Sequence, residues 1–330
     1  MVESKNVTTS KHELHTGNSM PTVGLGLWKM DKDVCADAVY NAIEAGYRLL
    51  DGACDYGNEK EVGEGIKRAI DAGLVKREDL CVLSKLWNTF HHPDHVEMAC
   101  KKSLADLGLE YLDVYLIHFP IALKYVPFEV RYPPEWKFED KMEPDTTGIT
   151  YQQTYAAMEA LVKKGLVKDI GVSNIGVSMI RQVMAYATIK PSILQVEIHP
   201  FNIQENLMRS CKEWNIHVMA YSNLGAASYV QIGLATEEDS CLSPQVVKDL
   251  AAKYNKSAGQ IVLKWGAQRG NTIIPKTAKK ERLAENAALF DFELTADEMK
   301  SVDALNRNKR YNDPAVYAEG GFGVFYCIYE

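Results

Sequence analysis

The sequence predicts an α/β fold in which eight parallel strands, each followed by a helix, close into a (β/α)8 barrel. Eight short apolar segments alternate with longer segments of helical periodicity along the 330 residues, and this strict alternation favours a parallel barrel over an open sheet. The length is normal for a barrel with loop insertions. No linker divides the chain, so we expect a single barrel domain over residues 1–330.

The elements are expected in a simple order along the chain. A β-hairpin comes first, with residues 12–15 and 19–20 flanking a turn at residues 16–18. Three helical segments, at 35–45, 59–72 and 155–164, are each followed by a glycine, and glycine commonly ends a helix. Strands are expected at residues 22–26, 48–51, 80–86, 114–118, 167–173, 192–197, 217–221 and 272–275.

Three long segments lack periodicity: residues 120–150, residues 223–243 and the tail after residue 306. We expect each of them to follow a strand end. Long loops on a barrel usually build its pocket, so the tail over residues 307–330 is expected to lie over the substrate pocket.

The composition argues against nucleic acid and membranes as partners. The net charge is −7, and the chain lacks the basic run that nucleic-acid binding typically uses. Its apolar runs are too short to cross a bilayer, and its polar N-terminus does not resemble a signal peptide. The seven cysteines form no CxxC pair, which indicates reduced thiols. We therefore expect a cytoplasmic protein, monomeric or homodimeric.

Four polar residues lie at or just after the ends of three consecutive predicted strands. Asp51 ends the second strand and Tyr56 follows it, Lys85 lies near the end of the third strand, and His118 ends the fourth. Barrel enzymes keep their catalytic groups at the mouth formed by these strand ends. A lysine or histidine that ends an apolar strand is expected to point into that mouth, because an unpaired charge in the core is costly.

Together these residues fit the reduction of a carbonyl group, which needs a hydride from a cofactor and a proton from the protein. The pKa of a free tyrosine is about 10, and the Lys85 cation is expected to lower the pKa of Tyr56. Asp51 would keep the lysine charged, and His118 would donate to the carbonyl oxygen. Taken singly, each residue has a structural alternative as a loop aromatic, a strand-end ion pair or a hydrogen-bonded histidine. Their joint placement favours catalysis.

Two other features suggest chemistry less strongly. His91, His92 and His95 are spaced closely enough to suggest a metal site, but Pro93 indicates the start of a helix there. We interpret them as a solvated helix entrance and predict no metal. No base is arranged to activate Cys54, so we expect it to be a small buried side chain.

Several stretches resemble the aldo-keto reductase superfamily. The longest is GYRLLDGACDYGNEKEVG at residues 46–63, and the others lie at 24–28, 84–87, 171–174, 195–197 and 274–277. The similarity runs from about residue 12 to residue 314. It implies a barrel that binds extended NADPH without a Rossmann domain, and it implies the four residues above as a catalytic tetrad. In agreement, GLGLWK at residues 24–29 lacks the third glycine of GxGxxG.

The resemblance also implies the cofactor contacts. It places the carboxamide on Ser173, Asn174 and Gln195, the nicotinamide ring on Tyr221, and the pyrophosphate along residues 222–225. Asn223 and Ala278 stand where many relatives have proline and asparagine, so NADH stays open beside NADPH. The full implied set is Gly26, Trp28, Lys29, Ser173, Asn174, Gln195, Tyr221, Ser222, Asn223, Leu224, Gly225, Ile274, Lys276, Thr277, Arg282, Glu285 and Asn286. Lys276, Thr277 and Arg282 match contacts to the 2′-phosphate and adenine.

Within the superfamily, residues 55–61, 118–124 and 310–314 are most similar to fungal xylose and aldose reductases and to plant aldose-6-phosphate reductases. This implies a sugar as the carbonyl substrate, with Asn312 binding a hydroxyl group. The implied pocket consists of Trp28, Tyr56, Trp87, His118, Phe119, Phe128 and Asn312. Because Lys124 and Arg131 are cations that can bind a phosphate, a phosphorylated sugar is the alternative substrate.

Two rival functions remain at this point. The first is a reductase of steroids or apolar aldehydes, and the second is a cofactor-binding regulatory subunit with little turnover. The glycines and aromatic residues of 320–330 do not match those reductases, and we expect them to form a mobile lid over the mouth.

Overall fold

The computed structural model describes residues 6–323 and 325–329. An antiparallel hairpin of β1 (Lys11–Glu13) and β2 (Ser19–Pro21) comes first. The eight strands that follow pair in parallel, each with its sequence neighbour. They are β3 (Leu25–Gly26), β4 (Leu49–Asp51), β5 (Cys81–Leu86), β6 (Leu112–Ile117), β7 (Val167–Ser173), β8 (Ile193–Glu197), β9 (His217–Tyr221) and β10 (Thr272–Ile273).

A parallel bridge between Val23 and Ile273 joins the two ends of the sheet and closes the predicted barrel. Around this closure β3 and β10 are shorter than predicted. The amide of Gly26 still donates to the carbonyl oxygen of Pro275 at 3.2 Å. Pro275 itself has no amide hydrogen to offer, which limits the ladder on this side.

Helices alternate with the barrel strands. They are α1 (Lys32–Glu44), α2 (Glu59–Asp71), α3 (Pro93–Leu107), α4 (Tyr151–Lys163), α5 (Val177–Tyr186), α6 (Glu205–Glu213), α7 (Ala227–Val230), α8 (Gln245–Tyr254), α9 (Ala258–Gln268), α10 (Lys280–Ala287), α11 (Ala296–Asp303), α12 (Pro314–Tyr317) and α13 (Glu319–Phe322). The helix predicted at 155–164 begins one turn earlier, because Thr150 and Gln153 form a reciprocal capping box.

The barrel interior is packed with apolar side chains below the mouth. Side chains two residues apart on a strand point to the same side, so the interior residues Leu49, Leu83, Leu116 and Ile193 lie one layer below Asp51, Lys85, His118 and Gln195. The hairpin closes the opposite end of the barrel with Leu14 and Met20, which belong to the same interior cluster. Because of this alternation, each of these four strands places one polar residue at the mouth.

The long segments gather mainly at that mouth. Residues 120–150 follow β6, and residues 223–243 follow β9 and contain α7. The expectation that the tail follows a strand is wrong, because it follows α11 and then returns through α12 and α13. Within the described ranges no helix is long and apolar enough to cross a membrane.

Candidate active site

The four predicted catalytic residues come together at the mouth. Lys85 is completely buried, and its Nζ donates to Asp51 Oδ1 at 2.9 Å, to the Gly52 carbonyl oxygen at 2.8 Å and to Tyr56 Oη at 3.2 Å. The three donors of the ammonium group are therefore all used. Gln195 Nε2 also donates to Asp51 Oδ1, at 2.7 Å, and fixes the carboxylate from the other side.

The expected lowering of the tyrosine pKa is not what this arrangement gives. Burial, followed by the charges of Asp51 and Asp55, raises the pKa of Tyr56 well above its ordinary value. Burial also lowers the pKa of Lys85, and the charge of Asp51 opposes that effect. Tyr56 therefore holds its proton at neutral pH, and Lys85 touches the oxygen on which negative charge appears when the proton leaves.

His118 stands beside Tyr56, with 5.8 Å between the two ring centroids. Burial and the neighbouring Lys85 lower the pKa of His118 well below its ordinary value, so the imidazole is neutral at neutral pH. Its ring lies edge-on to Trp87 at 5.0 Å and stacks on Phe119 at 5.0 Å. A neutral imidazole held in this way can donate a hydrogen bond to a carbonyl oxygen without carrying charge.

A cavity of about 740 Å³ opens directly above these residues. Asp51, Tyr56 and His118 line its base. One part of its wall comes from the ends of β7, β8 and β9, and another comes from residues 222–225 and from the chain after β10. The cavity thus extends from the tetrad toward the far side of the mouth.

The residues implied for the carboxamide lie side by side at the ends of β7 and β8. Asn174 Nδ2 donates to the His118 carbonyl oxygen at 2.8 Å and to Ser173 Oγ at 3.1 Å. Asn174 Oδ1 accepts from the hydroxyl groups of Tyr221 at 2.6 Å and Tyr329 at 3.0 Å. Asn174, Gln195 and Tyr221 line the cavity, whereas Ser173 lies fully buried behind it.

The segment 222–225 turns tightly where it lines the cavity. Ser222 has a φ of 54° and Gly225 a φ of 80°, and a side chain at Gly225 would meet Cys241 Sγ at 2.7 Å. Asn223, which departs from the family's proline, accepts the amide of Ile274 on its Oδ1 at 3.1 Å. That substitution therefore ties the segment to the chain that follows β10.

The far end of the cavity carries positive charge. Burial and the nearby charge of Lys276 lower the pKa of Lys29, so two cations stand close together there. Among the described residues Lys276 makes no ion pair, and Lys29 Nζ donates to the Ser228 carbonyl oxygen at 3.0 Å. Two neighbouring cations beside a left-handed loop fit the phosphate groups of a dinucleotide.

Other implied cofactor residues lie beyond the cavity wall, on or next to α10. Thr277 precedes the helix, and Arg282, Glu285 and Asn286 lie on it. The guanidinium of Arg282 faces Glu285 at 3.5 Å. None of the four lines the cavity described above, and their contacts with a cofactor stay a prediction.

The predicted substrate wall is largely present. Trp28, Trp87, Phe119 and Asn312 line the cavity. Phe128 does not line it, because its ring packs on Phe90 at 5.1 Å and on Tyr132 at 5.4 Å beneath the loop.

The cavity-lining residues that sequence reasoning missed include Asp55, Trp136 and Tyr317. Burial raises the pKa of Asp55 to about 7, and its Oδ1 has no hydrogen-bond partner in the described part of the chain. Its position between Asp51 and Tyr56 was a usable signal. No local pattern distinguishes the two aromatic residues.

Lys124 and Arg131 do not reach this cavity. They line a separate cavity of about 360 Å³ within residues 120–150, and Lys124 is paired with Glu143 at 2.9 Å.

The expectation of a solvated helix entrance is wrong for His91, which is buried, whereas His92 and His95 are partly exposed. Pro93 begins α3, and His92 caps it by accepting the amide of Asp94 at 3.3 Å. In the described ranges no cluster of three His, Cys, Asp or Glu side chains is arranged to hold a metal ion. Cys54 is buried, and burial raises the pKa of its thiol well above the ordinary value, so it stays protonated.

Known proteins resemble this chain over nearly its whole length. The aldo/keto reductase family model matches residues 20–307. The NADPH-dependent aldose reductase GRE3 of Saccharomyces cerevisiae is 49% identical, over 94% of this chain and 98% of that protein. The NAD(P)H-dependent D-xylose reductase XYR1 of Pyricularia oryzae is 48% identical, over 92% and 95%.

A solved structure agrees with both. The Bombyx mori aldo-keto reductase AKR2E4 in complex with NADP superposes with a TM-score of 0.84 and 39% identity, over 95% of this chain and 98% of that one. A tetrad at a barrel mouth, a family model and relatives of matching length point the same way, and this chain belongs to the aldo/keto reductase family.

Proposed function

We propose that this protein reduces the aldehyde group of an aldose to a polyol with NADPH, Tyr56 supplying the proton. The observation that carries the proposal is the contact of Lys85 Nζ with Tyr56 Oη at 3.2 Å, at the base of a cavity with polar groups on its wall. Relatives of nearly equal length are named as aldose and xylose reductases.

The proton step follows from the geometry. When bound, the cofactor would supply the hydride to the carbonyl carbon. As charge grows on the carbonyl oxygen, the neutral His118 donates a hydrogen bond and Tyr56 gives up its proton. The raised pKa of Tyr56 keeps that proton in place until the oxygen becomes basic, and Lys85 stabilises the phenolate that remains.

The protein offers a matching place for each part of NADPH. Asn174 and Gln195 would hold the carboxamide, Tyr221 would stack on the nicotinamide ring, and Lys276 would bind phosphate at the positive end of the cavity. The charge at that end favours NADPH over NADH, because the 2′-phosphate adds negative charge near Lys276, which makes no ion pair among the described residues.

A sugar fits the cavity wall better than a steroid or an apolar aldehyde. Asp55 and Asn312 place hydrogen-bonding groups among the aromatic side chains, and an apolar ligand would leave these groups without partners. Because Lys124 and Arg131 belong to another cavity, we favour a free sugar over a phosphorylated one.

The tail, residues 307–330, is proposed to close over the pocket. Asn312 and Tyr317 line the cavity from the tail, and Tyr329 reaches Asn174 at 3.0 Å. The guanidinium of Arg310 lies 3.5 Å from the centroid of the Tyr329 ring and holds this residue over the mouth. Removal of the tail is expected to change the KM of the sugar.

The test is the initial rate of NADPH and NADH oxidation with xylose, glucose, glyceraldehyde, mannose 6-phosphate and a ketosteroid, in the native protein and in Tyr56→Phe. Turnover of free sugars that collapses in Tyr56→Phe supports the proposal. Faster turnover of the ketosteroid would favour the apolar alternative. Tight NADPH binding without turnover of any carbonyl would support a regulatory subunit instead.

A further inference from the structure

A second buried polar cluster lies beside the tetrad, centred on Glu197 at the end of β8. Its side chain is fully buried. The carboxylate accepts the amide of Tyr311 on Oε1 at 2.7 Å and the amide of Asn312 on Oε2 at 2.7 Å. One side chain of the barrel thus fixes two consecutive amides of the tail.

The cluster extends to the loop after β9. His199 Nε2 lies 2.9 Å from Glu197 Oε1, and His199 Nδ1 lies 3.7 Å from Cys241 Sγ. Burial raises the pKa of the Cys241 thiol to about 12, so the thiol keeps its proton and can donate to Nδ1. The imidazole then carries its hydrogen on Nε2 and donates to the carboxylate. Tyr311 stacks on this imidazole, with 4.9 Å between centroids.

The consequence for the pocket lies in the side chain of Asn312. Its Oδ1 accepts the Tyr317 hydroxyl at 3.1 Å, and its Nδ2 makes no hydrogen bond within the described ranges. Glu197 holds the backbone of Asn312 while Tyr317 orients the amide group. A donor fixed in this way is available to a sugar hydroxyl without further ordering.

We infer that Glu197 is a positioning residue for sugar reduction, which holds Asn312 so that its amide donates to a hydroxyl of the substrate. The inference rests on the proposed function, because it assumes a sugar in this cavity. It assigns Glu197 no contact with the reacting atoms. Its loss should therefore affect sugars more than aldehydes that lack hydroxyl groups.

The decisive variant is Glu197→Gln, which keeps the volume of the side chain. The Nε2 of the glutamine must face either the amide of Asn312 or the two donors at the Oε1 position, which are the Tyr311 amide and His199 Nε2. In either orientation one N–H group faces another. The segment 311–312 is then released from the barrel. We expect the ratio of kcat/KM for xylose to kcat/KM for pentanal to fall about 10-fold, mainly through the KM of xylose.

Two further variants complete the design. Glu159→Gln is the matched control, because Glu159 is buried and accepts the amides of Thr188 and Ile189 at 2.6 and 2.9 Å, next to the segment that enters β8 from the opposite end of the barrel. Its ratio should stay within about twofold of the native value. Glu197→Asp keeps the charge on a shorter side chain, should give an intermediate ratio, and serves if Glu197→Gln does not fold.

A double-mutant cycle with Asn312→Ala separates positioning from general damage. If Glu197 acts through Asn312, the double variant has the same ratio as Asn312→Ala alone. Additive losses, or equal losses with xylose and pentanal, would overturn the inference. If the native protein does not reduce xylose, the proposed function fails with it, whereas native turnover with an unchanged ratio in Glu197→Gln overturns only the role of Glu197.

Discussion

Replacing Lys85 with methionine removes the cation that touches Tyr56 and leaves the shape of the buried side chain nearly intact. At 3.2 Å from the phenol oxygen, a unit charge is worth about 5 kcal/mol with an effective dielectric constant of about 20. Loss of a preorganised oxyanion donor typically costs about 3–4 kcal/mol. We therefore expect the rate of the reductive step to fall about 10²- to 10⁴-fold.

The assay is a single turnover of NADPH oxidation at saturating xylose, so that product release does not hide the chemical step. Lys264→Met is the matched control. Lys264 lies on α9, is also buried, and donates from its Nζ to the Leu289 carbonyl oxygen at 2.8 Å. The double variant Asp51→Asn/Lys85→Met guards against unfolding by an unpaired carboxylate, which costs about 3–5 kcal/mol. A Lys85→Met rate within tenfold of the native rate, with NADPH still bound, would refute this role.

Three further results are expected. Because the pKa of Asp55 is raised to about 7, the stability that its neutral form contributes is lost as pH rises from about 4, where the carboxyl of the unfolded chain ionises, to about 7. Asp55→Asn should therefore be more stable than the native protein by about 2–4 kcal/mol at pH 8 and differ little from it at pH 4; equal differences in denaturant unfolding at both pH values would contradict this. Lys276→Ala should raise the Kd of NADPH about tenfold and hardly change that of NADH, and equal weakening in a fluorescence titration would remove Lys276 from the phosphate site. Tyr329→Phe should tighten NADPH binding about 3- to 10-fold, because Asn174 Oδ1 then gives up one hydrogen bond fewer when it binds the cofactor. Weaker binding would instead make Tyr329 part of the cofactor site.

The tetrad could be predicted because its signal is local. Asp51, Lys85 and His118 each break an apolar strand at its end, and the strand period fixes the direction in which each side chain points. The same rule would have found Glu197, two residues beyond Gln195 on the same strand. It was overlooked because its partners, the amides of residues 311 and 312, are distant in sequence.

The side-chain positions in the loops could not be predicted either, because they also depend on contacts that are distant in sequence. Phe128 was expected in the pocket, yet the ring turns beneath its loop to pack on Phe90. Trp136 takes a place on the wall, edge-on to Trp87 with 5.0 Å between centroids. Which aromatic residue of a long loop faces inward depends on contacts with residues far away along the chain. The pKa of Tyr56 was also misjudged, because burial and the charges of Asp51 and Asp55 raise it.

The packed interior of the barrel and the loops around its mouth contribute different properties to this protein. The strands fix the proton donor above a layer of packed leucine and isoleucine, and the hairpin seals the far end. Residues 120–150 and the described part of the tail contribute to the walls without belonging to that packing. Grafting either segment from another family member should therefore exchange the preferred carbonyl while the donor stays in place, so new substrates can arise from changes in loop length and sequence alone.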